Sequence, residues 1–135
     1  MSDASPVFVH RLQARFRDCD PVGHVNNAVY FTYFEQARIA WWRQVGGEAR
    51  FPGANTVIVH AECDYKAPVF PQDELDIRVY LDGIGRSSIT LSYEILQVAH
   101  GAVVATGRTT NVTVDATSRT TIPVPEAARA LLTRQ

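Results

Sequence analysis

The sequence lacks the features that define several large classes of protein. Its 135 residues contain no apolar run of about 18 residues, the length that a membrane-spanning helix needs, so no membrane span is predicted. Residues 1–13 show no basic start followed by an apolar stretch, so no signal peptide is predicted. The formal net charge is −1, with Lys and Arg scattered along the chain, which is atypical of nucleic-acid-binding proteins. We therefore expect a cytoplasmic protein that binds neither membrane nor nucleic acid.

Cysteines and metal-binding motifs are also scarce. The two cysteines, Cys19 and Cys63, are too few for a disulfide framework. No CxxC or HxxxH spacing occurs, so we expect no metal site and no bound cofactor. A chain of 135 residues is long enough for one hydrophobic core and leaves little room for a second domain.

The residues that are present predict one strand, one long helix and then a series of strands. Alternation over Phe8–Phe16 places Phe, His, Leu and Ala side chains on one face, which predicts a half-buried strand. After a polar loop, a helix is predicted over Ala28–Val45, with asparagines before it as candidate caps and two glycines after it. Its apolar residues cover more than one stripe, so we expect it to be largely enclosed.

Four further strands are predicted at residues 56–65, 74–81, 87–98 and 102–115, which are rich in Val, Ile, Thr and Tyr. Proline followed by Glu-Ala-Ala predicts a short helix within residues 123–132, packed on the outside. The elements together predict an α+β fold in which a long antiparallel sheet wraps around one central helix. We expect residues 8–118 to form the domain, with a tail at 1–7 and a C-terminal extension at 119–135.

The loop before the long helix has residues suited to ester chemistry. Hydrolysis of a thioester needs a nucleophile or a base, and donors for the oxygen that becomes negative. The first turn of a helix offers unpaired backbone N–H groups, and Asp20 lies on the loop that leads to the helix start at Asn27. The same residues are equally typical of turns and caps, and His24 of a structural histidine. The residue pattern alone leaves both interpretations open.

The run DxDxxxHxNNxxY, from Asp18 to Tyr30, carries a family resemblance. Its first part resembles the catalytic loop of 4-hydroxybenzoyl-CoA thioesterases, and the wider run resembles bacterial acyl-CoA thioesterases and plant acyl-ACP thioesterases. Four downstream segments resemble the same superfamily, at residues 64–68, 85–88, 105–107 and 112–115. The resemblance implies a hotdog fold and hydrolysis of acyl-CoA to free acid and coenzyme A.

The resemblance also implies roles for the loop residues. Asp20 matches the catalytic acid, which acts as nucleophile or as general base, and the backbone N–H near Asn27 matches the oxyanion site. His24 and Asn26 match polar residues that orient the loop or the water. Neither is typical of the 4-hydroxybenzoyl branch, which argues against that substrate.

Other residues are expected to contact substrate. Glu35 matches a commonly acidic helix position, although it can equally pair with Arg38 one turn on. Tyr30 is expected to line an acyl pocket or to belong to the core. Lys66 and Arg86 match positions that can meet the phosphates of coenzyme A. Less favoured for these roles are Arg108 at the phosphates and Phe34, Trp41 and Trp42 in the pocket, because aromatic residues on an enclosed helix usually form core.

The family pairs edge to edge, so the resemblance implies a homodimer or a dimer-of-dimers homotetramer with sites at the interface. Three alternatives stay open. The first is that the substrate is an acyl group on acyl carrier protein. The second is that the protein is a hotdog hydratase, and the third is that it binds acyl-CoA without catalysis. A hydratase is disfavoured because no HFPxxPxxPG-like segment occurs. A binder is disfavoured because it would not need Asp20.

Overall fold

The computed structural model describes residues 5–134, without the side chains of residues 48 and 50. Its strands and helices are, in chain order, β1 (Phe8–Gln13), α1 (Val29–Gln44), β2 (Ala54–Tyr65), β3 (Glu74–Ile84), β4 (Ser88–Gln97), β5 (Ala102–Asp115) and α2 (Glu126–Leu132). Short 3₁₀ turns lie at Phe16–Asp18 and Gly47–Arg50.

The strands form one antiparallel sheet in the order β1-β3-β4-β5-β2, which leaves β1 and β2 at its two edges. Helix α1 packs on one face of this sheet and buries Phe34 and Trp41 there. The predicted α+β architecture, with its long antiparallel sheet and one long helix, is confirmed. Within residues 5–134 no helix has the length and apolar character needed to cross a membrane.

The close approach of helix and sheet depends on one glycine. Gly107 on β5 lies under the ring of Phe34, and a Cβ at this position would overlap the ring. Phe34 stacks on Tyr93 of β4 at 4.5 Å between ring centroids. Both aromatic side chains are fully buried, so this layer fixes the height of the helix above the sheet.

The first strand is shorter than the alternation predicted. It stops at Gln13, and Phe16 is 85% exposed instead of facing the core. The chain turns here because the N–H of Asp18 donates to the carbonyl of Arg15, and that of Cys19 to the carbonyl of Phe16. The side chain of Asp18 stabilises this turn, a tertiary effect that the alternation cannot show. The other elements differ from prediction only by a few residues at their ends.

Helix α1 is enclosed on the sheet side only. Phe31 and Ile39 are exposed on its other side. The neighbouring edge strand β2 is also open, with Val57, Ile58 and Val59 each more than 40% exposed. The predicted enclosure of the helix is therefore incomplete in a single chain, which has no further layer on this side.

The C-terminal segment belongs to the hydrophobic core. Val124, Ala128 and Leu132 are buried in the same cluster as the helix–sheet residues. The guanidinium of Arg129 on α2 donates to the carbonyl oxygen of Gly85, in the β3–β4 turn, at 2.7 Å. Helix α2 therefore closes the core at the end of the sheet that holds this turn.

Candidate active site

The loop before α1 folds as a small hairpin. Cys19 and Val25 form a β-bridge, and the N–H of Asp20 donates to the carbonyl of His24 at 3.1 Å. The turn between them closes when the N–H of Gly23 donates to the carbonyl of Asp20 at 2.9 Å. Gly23 has φ of +100°, a conformation that residues with a side chain rarely adopt. The loop therefore holds Asp20 at the first position of a tight turn.

The hairpin is anchored by a buried carboxylate, that of Asp18. It accepts hydrogen bonds from the Arg15 backbone and guanidinium, and from the Tyr33 hydroxyl of α1 at 2.8 Å. The carbonyl of Asp18 accepts the N–H of Asn26 at 3.0 Å. Asp18 thus ties the start of the loop to the loop's end and to the helix.

The pKa of Asp18 reflects this setting. Burial is the largest single influence and raises the pKa, but the hydrogen bonds from Arg15 and Tyr33 together outweigh it. The net pKa is lowered, so the side chain is a carboxylate at neutral pH. Burial and the bond to Asp18 also raise the pKa of the Tyr33 phenol. Asp18 acts as an anchor with its oxygens already bonded.

Asp20 is bonded through one oxygen only. Its Oδ1 accepts the N–H of Val22 at 2.9 Å, which stabilises the turn. Its Oδ2 has no hydrogen-bond partner among residues 5–134. The turn-stabilising role considered from sequence is therefore present, and it leaves one carboxylate oxygen available for chemistry.

Asp20 lies in a pocket of about 390 Å³ between the loop, the start of α1 and the end of β2. The pocket brings together four more of the residues singled out from sequence, namely His24, Asn27, Tyr30 and Lys66. Its remaining lining residues are Val25, Tyr65, Ala67 and Pro68. His24 is half-buried, and its Nδ1 lies 3.4 Å from the carbonyl oxygen of Val25.

The helix start presents a free donor. Asn26 accepts the N–H of Ala28 through its side chain at 2.9 Å and the N–H of Val29 through its carbonyl at 2.9 Å. The N–H of Asn27 makes no hydrogen bond within the described part of the chain. The hydroxyl of Tyr65 donates to the carbonyl of Asn27 at 2.7 Å and holds this peptide in place. Such a donor, at the positive end of a helix, is suited to a developing oxyanion.

Tyr30 and Tyr65 form one wall of the pocket. Their rings meet edge to face at 4.9 Å between centroids. Tyr30 is buried and also lines the pocket, so it belongs to the core and to the pocket wall at once. Burial raises its pKa to about 12, so its hydroxyl stays protonated and uncharged. Sequence reasoning missed Tyr65, whose importance depends on the approach of β2 to the helix start.

Four residues considered from sequence lie elsewhere. The side chain of Asn26 caps the helix start and is not in the pocket lining. Glu35 lines a separate hollow further along α1, and it forms no ion pair with Arg38 among the described residues. Arg86 lies in the β3–β4 turn, and Arg108 faces Asp82 at 3.5 Å.

Arg86 is far from the pocket within one chain. Tyr65 pairs with Ala105, which pairs with Ile95, whereas the turn of Arg86 precedes Ser88. Residues 88 and 95 of one strand, at about 3.4 Å per residue, are about 24 Å apart. One chain therefore does not bring Arg86 to Asp20.

The groups that line the pocket are of the kinds that acyl transfer uses. The pocket holds an open carboxylate oxygen, an unpaired N–H at a helix start, a histidine and a lysine at its exposed rim. In residues 5–134 there is no group of three or more His, Cys, Asp or Glu side chains that could hold a metal ion.

Several known proteins are similar to this chain in sequence. An uncharacterised protein of Bacillus subtilis, YsmA, is 36% identical over 86 residues, 64% of this chain and 58% of its own length. The 1,4-dihydroxy-2-naphthoyl-CoA hydrolase of Synechococcus elongatus is 31% identical over 117 residues, 83% of this chain and 85% of its own length.

Among solved structures, a thioesterase from Thermus thermophilus, crystallised with coenzyme A and Zn, superposes with a TM-score of 0.83 at 32% identity. The superposition covers 96% of this chain and 95% of that one, which confirms the predicted hotdog fold. The profile of the Thioesterase-like superfamily matches residues 14–132, from the end of β1 to α2. This chain belongs to the Thioesterase-like superfamily.

Proposed function

We propose that this protein hydrolyses acyl-CoA thioesters and that Asp20 carries the chemistry. The observation that supports this most directly is the pairing of two unsatisfied groups in one pocket. The Oδ2 of Asp20 and the N–H of Asn27 both lack a partner among the described residues, and both residues line the same hollow. A thioester carbonyl between them would meet an attacking group on one side and an oxyanion donor on the other.

Two forms of the reaction fit this geometry. Asp20 attacks the carbonyl carbon itself, forms a mixed anhydride and is released by water, or it removes a proton from an attacking water. In both forms a C–O bond replaces the C–S bond, and coenzyme A leaves as a thiolate that takes up a proton. His24, half-buried at the pocket wall, is proposed to orient the loop or the water.

The helix N-terminus would stabilise the oxygen in either form. Asn26 accepts the N–H groups of Ala28 and Val29, which leaves the N–H of Asn27 as a donor for the oxyanion. The bond from Tyr65 to the carbonyl of Asn27 restrains the same peptide plane. A preorganised donor of this kind costs no reorganisation when the charge develops.

Coenzyme A is proposed as the carrier because of the pocket rim and the relatives. Lys66 is exposed at the rim, where it can meet a phosphate. One relative is named a hydrolase of 1,4-dihydroxy-2-naphthoyl-CoA, and a solved neighbour contains coenzyme A. Both support a CoA thioester as the substrate of this chain.

A second copy of the chain is proposed to complete the site. Strand β2 is an edge strand whose valines at 57 and 59 are exposed, which is a surface that proteins normally cover. Under a two-fold axis β2 pairs antiparallel with itself, so the Tyr65 end of one copy lies beside the Ala54 end of the other. Ala54 lies at the sheet end that holds Arg86, so Arg86 of the second copy approaches the pocket.

We accordingly propose a homodimer, alone or paired into a tetramer, in the cytoplasm. Glu35 is proposed to contact substrate from the hollow next to the pocket. The second candidate function, hydrolysis of acyl groups on acyl carrier protein, is supported by the exposed rim of the pocket, which a protein surface can also cover.

The test is the release of free thiol from short, long, branched and aromatic acyl-CoA thioesters and from acyl-ACP. Turnover of CoA thioesters that free coenzyme A inhibits supports the proposal. Turnover of acyl-ACP without such inhibition supports the second candidate. No turnover of either, by folded protein, contradicts hydrolysis and leaves acyl-CoA binding as the function to measure.

A further inference from the structure

Arg38 of α1 is a half-buried cation without an anionic partner. Its guanidinium donates one hydrogen bond, from Nη1 to the hydroxyl of Tyr93 at 3.2 Å. No carboxylate within residues 5–134 pairs with it, although Glu35 is only one turn away. A guanidinium has five N–H donors, so most of its donors are unused. An anion beside a partly buried guanidinium is favourable, because partial desolvation penalises the unpaired charge.

Beneath Arg38 the core contains a polar cluster. The hydroxyls of Tyr93 and Thr109 are 2.7 Å apart, and the side-chain amide of Asn111 donates to Thr109 at 3.3 Å. Tyr93, Thr109 and Asn111 are each at most 5% exposed. Hydrogen-bonded groups at this depth fix a specific geometry, and here they hold Arg38 from below.

A second buried donor belongs to a residue that lines a cavity beside Arg38. Trp41 is 1% exposed, and its indole N–H has no partner within the described part of the chain. Trp41, Arg38 and Asn111 line one cavity of about 90 Å³, together with Ile39, Trp42 and Leu91. A buried N–H without an acceptor is costly, so an acceptor atom on a ligand in this cavity would relieve that cost.

This cavity is the last in a row of hollows along α1 that starts with the pocket at Asp20, and we call this row the groove. The boundary between α1 and β2 contains three hollows in succession: the catalytic pocket at Tyr30 and Tyr65, a middle hollow of about 240 Å³ at Phe31 and Ile58, and the cavity at Arg38. Arg38 lines both the middle hollow and the cavity. Residues 27 and 38, at about 1.5 Å per residue along a helix, are about 16 Å apart.

We propose that the groove receives the acyl group, and that Arg38 and Trp41 select acyl groups with a hydrogen-bond-accepting oxygen at the end remote from the thioester. This inference rests on the proposed hydrolysis at Asp20 and names its substrate class. A carboxylate is the strongest such acceptor, because it offers two oxygens to a planar guanidinium. In the middle hollow, Phe31, Ile58 and Ala61 offer apolar surface to the chain between the two ends.

The test compares CoA thioesters of equal chain length: decanoyl-CoA, 10-hydroxydecanoyl-CoA and the mono-CoA thioester of decanedioic acid, with shorter and longer series beside them. We expect the carboxylate-ended chain to have kcat/KM about tenfold or more above the plain chain, the size of one hydrogen bond to a charged group. The hydroxyl-ended chain should fall between them.

Arg38→Met should remove this preference while the protein stays folded, and Arg38→Lys should retain part of it because the charge remains without the planar fork. Arg43→Met is the matched control, since Arg43 is an exposed arginine of the same helix. The Arg43→Met variant should prefer the carboxylate-ended thioester as strongly as the wild type does. Oligomeric state and melting temperature are measured for every variant.

The outcomes separate the two proposals. Equal turnover of all three thioesters at every length overturns the inference and leaves hydrolysis standing. Dissociation of the oligomer by Arg38→Met, with the preference intact in the remaining activity, assigns Arg38 to the subunit interface and overturns it as well. If no thioester is hydrolysed, the proposed function fails. Binding of non-hydrolysable thioether analogues then decides the inference, since a tenfold preference for the carboxylate-ended analogue supports it and equal affinity overturns it.

Discussion

The two ends of the sheet differ in how their polar groups are satisfied. At the β3–β4 turn, Arg129 donates to the carbonyl of Gly85, and the N–H of Val124 donates to the carbonyl of Arg86 at 2.8 Å. At the loop end, Asp20 keeps a free carboxylate oxygen and Asn27 a free N–H, as judged within residues 5–134. Backbone groups are usually paired where an end only has to be stable, so the unpaired groups are consistent with the proposal that the loop end carries the chemistry.

The two edge strands of the sheet, β1 and β2, also differ. Edge strand β1 has six residues, and its Arg11 forms a two-bond ion pair with Asp76. Edge strand β2 has 12 residues and exposes three large apolar side chains in a row. A short, charged edge resists pairing, whereas a long apolar one favours it. Strand β2 is therefore the edge at which the proposed second copy would pair.

The largest effect is expected from Asp20→Asn. The variant loses the base or nucleophile and should reduce kcat by about a hundredfold or more, with substrate binding kept. Thiol release and binding of a thioether analogue measure the two quantities. Asp64→Asn, an exposed aspartate on β2 near the same end, should change neither. A loss of only a few-fold in Asp20→Asn would move the chemistry elsewhere, with Glu35 as the next residue to test.

The second effect tests the difference between the edges. Val57→Lys combined with Val59→Lys places like charges where two copies of β2 would meet, so the oligomer should dissociate and activity should fall about tenfold or more. Sedimentation and thiol release are measured together. Val9→Lys alters an equally exposed valine of β1 and should leave both unchanged. A monomer with full activity would contradict the shared site.

The third effect separates the anchor from the reactive carboxylate. Asp18→Asn removes a buried acceptor of several hydrogen bonds and should lower the free energy of unfolding by about 1–3 kcal/mol at neutral pH. Its activity should fall less than that of Asp20→Asn, because the reactive group is retained. Urea unfolding of wild type and variant provides the measurement.

The difference in unfolding free energy between wild type and Asp18→Asn should depend on pH in a definite direction. The folded pKa of Asp18 lies below its ordinary value of 3.8, so its contribution is present above that pH and is lost as the pH falls through the folded pKa. The unfolding free energies of wild type and Asp18→Asn should therefore converge below about pH 4. A difference that stays constant down to pH 2 would show that the charge of Asp18 does not stabilise the fold.

The smallest effect is expected from Arg86→Ala. Loss of an exposed phosphate contact should raise KM for CoA thioesters about two- to fivefold. The KM for short thioesters that lack the nucleotide should not change. Steady-state kinetics on both substrate types provide the comparison, with Arg17→Ala as an exposed control on the loop side. Equal losses on both substrate types would exclude a role at the phosphates.

The sequence by itself determined the elements and the position of the loop. Alternation of apolar residues predicted the first strand, because a sheet with one buried face imposes a period of two, and runs of Val, Ile, Thr and Tyr predicted the other four. The helix was predicted to within a residue at each end by the polar caps before it and the glycines after it. The resemblance carried by the run from Asp18 to Tyr30 identified the candidate loop, because a motif made of neighbouring residues can be read without knowing the fold.

Only the tertiary structure decided which of these residues meet. The roles of Asp18 and Tyr65 depend on partners 15 and 38 residues away, and no local pattern records such distances. The pair of Glu35 and Arg38 that the helix spacing allows does not form among residues 5–134, and Arg38 donates instead to the hydroxyl of Tyr93 on β4. The separation of Arg86 from Asp20 follows from strand register, which the turns and the packing of the whole sheet fix together.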